Sequence, residues 1–300
     1  MLFDGVVYDE KLLRRFYSGE ELELVGAFSE GVYFNGPRGI VLIHDSQYGS
    51  LPFGIAVRAF SGSGRELGLV PGSKAVLSSE GLRGIGYSLQ VLVSPGRPYR
   101  SVPYMPSKES LYKLYRISLS VLVESERASL LPYCIPPGAE VQRDKLTDDF
   151  ARAGLGHMLL FRSAIAKNDS PALPEALSGL IGLGRGLTPS FDDFLTGMLF
   201  ALNYSLKTWG LELPILSELS LEITKQAARR TGVISAAYLL ASAGGGGDFS
   251  MLRECLEPLG TQQAMSKMRS LLLVGGSSGA DMLSGMAFAI GCILTLKHLQ

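Results

Sequence analysis

Gly184-Arg-Gly-Leu-Thr-Pro-Ser-Phe-Asp-Asp-Phe-Leu-Thr-Gly197 sets glycines, hydroxyls and two adjacent carboxylates at the start of an apolar run. With Gly182 it supplies glycines at three alternate positions, where the backbone can take geometries closed to other residues. Two capping schemes compete for the helix that follows. Thr188 before Pro189 fits a cap with proline at the first helical position, and Ser190 with Asp193 three residues on fits a capping box. In either scheme a helix begins here, and its N–H groups and positive dipole end suit an anion, with Arg185 close by in sequence.

The pattern returns near the other end of the chain. Ser190-x-x-Asp193-x-Leu195-x-Gly197-Met198-x-Phe200-Ala201 recurs as Ser278-x-x-Asp281-x-Leu283-x-Gly285-Met286-x-Phe288-Ala289, identical at seven of twelve positions. So short a repeat is no solenoid period and reads as two equivalent helix starts. On a helix Ser190, Asp193 and Gly197 share a face, as do Ser278, Asp281 and Gly285. Glycine on that face admits a neighbouring backbone beside the carboxylate.

Working outward, the second half of the chain reads as helical, with segments expected at about 190–205, 215–229, 232–243, 249–256, 261–272 and 279–297 and a loop at the four glycines 244–247. The first half carries short β-branched and aromatic runs at 31–35, 39–44, 55–60 and 89–93 between Gly, Pro, Ser and Asn, the rhythm of an antiparallel sheet or barrel. A helix is expected at about 107–126, and Pro132, Pro136 and Pro137 then interrupt the chain. The fold class is α+β: a β-rich domain over residues 1–138 and a mostly helical domain over 139–300.

Composition narrows the function classes. The 300 residues are 46% hydrophobic, enough for a large core, and 28 Lys plus Arg balance 28 Asp plus Glu, so no global field recruits nucleic acid or an anionic membrane. The uncharged window between Asp281 and Lys297 falls short of the roughly 20 residues of a membrane span and reads as a core helix. Cys134, Cys255 and Cys292 are too few and scattered for a disulfide framework or zinc knuckle, and the N-terminus lacks the pattern of a secretory signal; a cytoplasmic protein is expected. His44, His157 and His298 have no partner at metal-ligand spacing, and no Walker A loop or dinucleotide fingerprint is present, so no nucleotide cofactor is expected.

For Asp192 and Asp193 the bland reading is helix capping. Two adjacent carboxylates behind a glycine loop, one of them echoed by Asp281, point instead to a site in which they hydrogen-bond an amide or amine, act as general base, or hold Mg²⁺ through water. The sequence leaves these roles open. Gly275-Gly276-Ser277-Ser278-Gly279-Ala280-Asp281 reads equally as a tight interhelical turn or a binding loop, and the echo favours binding. Thr231, after Arg229 and Arg230, reads as a third helix cap at the same place, with packing as the stronger explanation.

Together, Gly184-x-Gly186-Leu-Thr188-Pro-Ser190-x-Asp192-Asp193-Phe-Leu-x-Gly197 and Gly276-x-Ser278-Gly279-x-Asp281 resemble the DUF2877 family, which includes the AllH-type subunit of oxamate carbamoyltransferase. The likeness is specific in the two motifs and general in the β-rich half. This chain departs from the family pattern at Arg185, where proline is frequent, and at Phe191, where glycine is common; a ring at 191 implies an altered pocket beside the carboxylates. The resemblance implies work with other carbamoyltransferase subunits in an oligomer of purine-nitrogen (allantoin) catabolism, on a small anionic oxamate- or oxalurate-like substrate. Asp192, Asp193 and Asp281 would be the catalytic groups. Gly184, Arg185, Gly186, Thr188, Ser190, Thr231, Gly276, Ser277, Ser278 and Gly279 would bind substrate or anion. The competing readings are a non-catalytic ligand-binding or assembly subunit and a metal-assisted amidohydrolase.

Overall fold

The computed structural model describes residues 2–7, 9–15, 19–28, 31–58, 60, 68–87, 89–97, 103–137, 139–245 and 248–296. Ala59 of the expected 55–60 strand, Gly246 and Gly247 of the glycine loop, Lys297 at the end of the expected last helix and His298 lie outside the described residues. The chain forms two compact units, one within Met1–Arg100 and Gly247–Met251, the other within Ser101–Gly246 and Leu252–Gln300. Pro132, Pro136 and Pro137 fall inside the second.

The first unit is a closed eight-stranded barrel. Its strands are β1 (Leu2–Val7), β2 (Glu20–Ala27), β3 (Gly31–Gly36), β4 (Gly39–Asp45), β5 (Gly54–Val57), β6 (Lys74–Ser78), β7 (Gly81–Ile85) and β8 (Gln90–Pro95), with helix α1 (Glu10–Arg15) between the first two. They run in the order β1-β5-β4-β3-β2-β6-β7-β8, which leaves no unpaired edge. Alternation decides which face of β2 is inward: Glu20, Leu22 and Leu24 are buried while Glu21 and Glu23 are exposed. Buried Glu20 is neutralised by Arg15 at 2.8 Å, and the same guanidinium donates to the carbonyls of Gly39 and Ile40 at 3.1 and 2.9 Å. The expected sheet is thus a barrel, but not wholly antiparallel. β1 lies between β5 and β8 and runs parallel to β8, and β4 runs parallel to β5. Pairing the first strand with the last is what closes the cylinder, and no periodicity within one strand reports it.

The second unit is helical: α2 (Lys108–Val123), α3 (Asp149–Ala153), α4 (Leu155–Lys167), α5 (Leu173–Ser178), α6 (Ser190–Tyr204), α7 (Leu216–Arg230), α8 (Val233–Ala243), α9 (Ser250–Leu256), α10 (Thr261–Leu271) and α11 (Ser278–Ile293). α9 begins in the stretch grouped with the barrel. Ser107 caps α2 by accepting the Ser110 N–H. The two motif-bearing helices, α6 and α11, make the centre: Asn203 alone of α6 is not fully buried, and Gly279–Ile293 of α11 are all buried. α8 packs on α6 and α2 on α11, so both central helices are covered on most sides, as their apolar sequences require.

Among the described residues no helix is long and apolar enough to cross a membrane. Arg162 holds the proline-rich segment from inside. Its guanidinium donates to the carbonyls of Tyr133, Ile135, Pro136 and Ala139 at 2.7–3.1 Å and lies 5.6 Å from the centroid of the Phe288 ring. The three cysteines are free and buried, and burial pushes their thiols upward, away from reactive thiolate.

Candidate functional site

α6 and α11 meet reciprocally. A methyl group on Gly197 would sit 2.0 Å from the Met282 carbonyl oxygen, and one on Gly285 would sit 1.8 Å from that of Phe194. Met282 and Phe194 occupy equivalent positions in the two copies of the motif, so the helix pair has an internal pseudo-two-fold relation. Only glycine lets the backbones approach this closely.

That approach brings the two turns together, the Thr188 and Ser278 hydroxyl oxygens lying 3.1 Å apart. Neither expected cap forms. α6 starts at Ser190 with Pro189 in the capping position and no side chain accepting an N–H there. The Pro189 carbonyl instead accepts from Asp192 and Asp193 at 2.8 and 3.1 Å, and Phe191 N–H donates to Leu183 at 3.1 Å. In α11, Gly279 and Asp281 donate to Val274 and Ser277 at 3.1 and 2.9 Å. The hydroxyls face across the helix pair while backbone carbonyls close the helix ends.

Asp192 and Asp193 are neighbours with opposite surroundings. Asp192 Oδ1 accepts the Gly182 N–H at 2.8 Å, and Oδ2 accepts the Thr231 and Ser235 hydroxyls at 2.5 and 2.6 Å. Burial raises its pKa, and those three donors hold the rise down. Asp193 is buried with Oδ2 lacking a partner, and Asp281 is fully buried with neither oxygen hydrogen-bonded. Burial pushes Asp193 well above the ordinary carboxylate range, and the nearby charge of Asp281 adds to the rise. Burial likewise pushes Asp281 up to about 7, with the negative charge of Asp148 contributing. Hydroxyls counter both shifts: Ser278 beside Asp193 and Ser190 beside Asp281 are exchanged as the pseudo-symmetry requires, while Thr188 beside Asp193 and Ser277 beside Asp281 have no hydroxyl counterpart in the other copy. For Asp281 these hydroxyls lie close without satisfying hydrogen-bond geometry, so its oxygens stay open.

The structure therefore gathers Thr188, Ser190, Asp193, Ser277, Ser278 and Asp281, and ties Thr231 to Asp192. The turns above are more open: Arg185, Gly186 and Gly276 are exposed, Gly184 is half-buried, and Gly279 is buried against the Leu271 carbonyl. Phe191 does not line the carboxylates with a free ring. It is buried against Gly154, with Tyr133 and Phe194 at ring distances of 6.0 and 6.5 Å. Two contributors carry no role in the sequence reading, the Ser235 hydroxyl and the Asp148 charge. Ser235 was accessible, because it lies one helical turn beyond Thr231. Among the described residues no group of three or more His, Cys, Asp or Glu side chains is disposed to hold a metal ion.

No solved structure matches the chain. Residues 180–290 match the model of a protein family described as oxamate carbamoyltransferase subunit AllH. The match runs through both turns and both central helices, and in this segment the chain is similar to that family.

Proposed function

We propose that the chain is a working subunit of a carbamoyltransferase-type enzyme, and that Asp193 and Asp281 form the end of its site that takes the nitrogen of a small anionic amide or ureido compound. The observation that supports this most is the set of three buried, unpartnered carboxyl oxygens at the joined helix starts. Leaving a buried acceptor unsatisfied costs about 1–3 kcal/mol, and a ligand N–H relieves that cost. The N–H groups of Phe191, Asp192, Asp193, Gly279 and Asp281 are already engaged by backbone carbonyls, and the unpartnered atoms are carboxyl oxygens, so the open positions favour hydrogen donors over anions. The anionic end of the ligand is assigned to the exposed turn carrying Arg185.

In the reaction the family name implies, phosphate oxygen forms a bond to the carbamoyl carbon of an oxalurate-like compound while the bond from that carbon to the oxamate nitrogen breaks. The leaving nitrogen needs one proton. A carboxyl with its pKa raised to about 7, as at Asp281, is half neutral at neutral pH and suits both donating that proton and removing it in the reverse direction. Hydroxyls of Thr188, Ser190, Ser277 and Ser278 orient the group between the two acids.

The test is phosphate-dependent cleavage of oxalurate by the chain assembled with its partner subunits, comparing Asp193→Asn and Asp281→Asn. A large loss of turnover in both variants supports the proposal. Unchanged turnover in both removes it, and ligand binding with no turnover in the complete assembly favours a non-catalytic binding subunit.

A further inference from the structure

Asp192 breaks the symmetry of the helix pair. Its counterpart in the second copy is Ala280, whereas Asp193 has Asp281, Ser190 has Ser278 and Gly197 has Gly285. A carboxylate present on one side alone serves something the second turn does not need. Its three hydrogen bonds run to Gly182, where the glycine turn begins, and to Thr231 and Ser235, where α8 begins. Gly182 has φ +85°, and a methyl group there would lie 2.2 Å from the Arg230 carbonyl oxygen, so the two segments already touch where Asp192 bridges them. Arg230 adds a bond from its guanidinium to the Ser178 carbonyl at 2.6 Å.

We infer that Asp192 is a positioning residue that touches no ligand: it fastens the turn from Gly182 to Pro189 to the start of α8 and so fixes Thr188, Ser190 and Arg185 relative to the Asp193–Asp281 pair. The inference rests on the proposed role of that pair. With three donors on its two oxygens and only 1% of its surface exposed, Asp192 has little capacity left for a substrate. The second turn has Ala280 in place of this carboxylate, and its Gly275 carbonyl is instead met by the Arg127 guanidinium at 3.4 Å.

Asparagine is the informative substitution. Its amide oxygen can accept from Gly182 while its NH₂ donates to the Thr231 and Ser235 hydroxyls, which are able to accept. In the assembled enzyme, Asp192→Asn is expected to lose less than about tenfold in kcat/KM, whereas Asp192→Ala loses on the order of 10²-fold, as misplacement of a site does, mostly through KM. Hydrogen exchange supplies a readout independent of turnover: residues 180–189 exchange faster in Asp192→Ala and keep their protection in Asp192→Asn. If Asp192→Ala does not fold, Thr231→Val removes one donor and should give the same pattern at smaller amplitude. Asp192→Asn as inactive as Asp193→Asn, or unaltered exchange of 180–189 in Asp192→Ala, would overturn the inference. Full activity in both Asp193→Asn and Asp281→Asn would instead sink the proposed function and leave the exchange result to decide the fastening.

Discussion

Gly285 of α11 is pressed against the carbonyl of Phe194, and the equivalent glycine of α6 is pressed against the residue equivalent to Phe194, namely Met282. This exchanged contact sets the distance between the two helix starts, and with it the distance between the Asp193 and Asp281 carboxyls.

Gly197→Ala and Gly285→Ala should therefore each destabilise the helical unit, because the added carbon meets backbone that has no rotamer to yield. Overpacking of this kind costs about 1–3 kcal/mol. The two losses should be similar and should not add in the double variant, because the first already separates the helices. Urea denaturation of the singles and the double is the measurement, and a strongly unequal pair of losses would count against the reciprocal contact.

Asparagine at position 193 or 281 should lower turnover by about 10²-fold or more, the usual contribution of a positioned proton donor or acceptor, with a smaller effect on KM. The pH profile should shift as well: a limb near pH 7 in the wild type, set by Asp281, should be absent in Asp281→Asn.

The two units should respond to acid in opposite directions. Asp281 has a folded pKa of about 7, raised by burial above the ordinary aspartate value, so its penalty is absent below about pH 4 and grows as pH rises to 7, by up to about 4 kcal/mol. Acidification from pH 7 to 4 thus favours the helical unit at this residue. His44 in the barrel runs the other way. It is buried with Nε2 unpartnered, and burial lowers its pKa from 6.5 to about 4, so stability present above pH 6.5 is lost as pH falls towards 4. Hydrogen exchange at pH 7 and pH 5 should show the barrel loosening, with the loss reduced in His44→Gln. Asp281→Asn should remove the opposite trend from α6 and α11.

Arg162→Met should cost about 3 kcal/mol or more, because four carbonyls of the segment from Tyr133 to Ala139 lose their common donor. Arg162→Lys should recover only part of this, since an ammonium offers three donors on a flexible stem and not a planar fork. Thermal unfolding of the two variants reads the difference.

The periodic helices and the short strands were legible because each depends on residues a few positions apart. The expected starts at 190, 232, 261 and 279 lie within a residue of the observed ones. The capping of α6 was misjudged for the opposite reason. Thr188 and Ser190 have the chemistry of caps, and their hydroxyls are drawn off by a helix start far away in the sequence. Phe191 likewise suggested a reshaped pocket until Gly154, Tyr133 and Phe194 surrounded it.

By itself the sequence determined a β-rich half, a helical half and two matched helix starts, because hydrophobic period, glycine and proline act within one turn or one strand. Only the tertiary structure decided that β1 would close the barrel against β8, that Arg162 would hold the proline segment, and that of two adjacent aspartates one would be saturated and the other left open. Each of those outcomes turns on which distant atoms share a buried space, and desolvation there makes an unmet hydrogen bond matter.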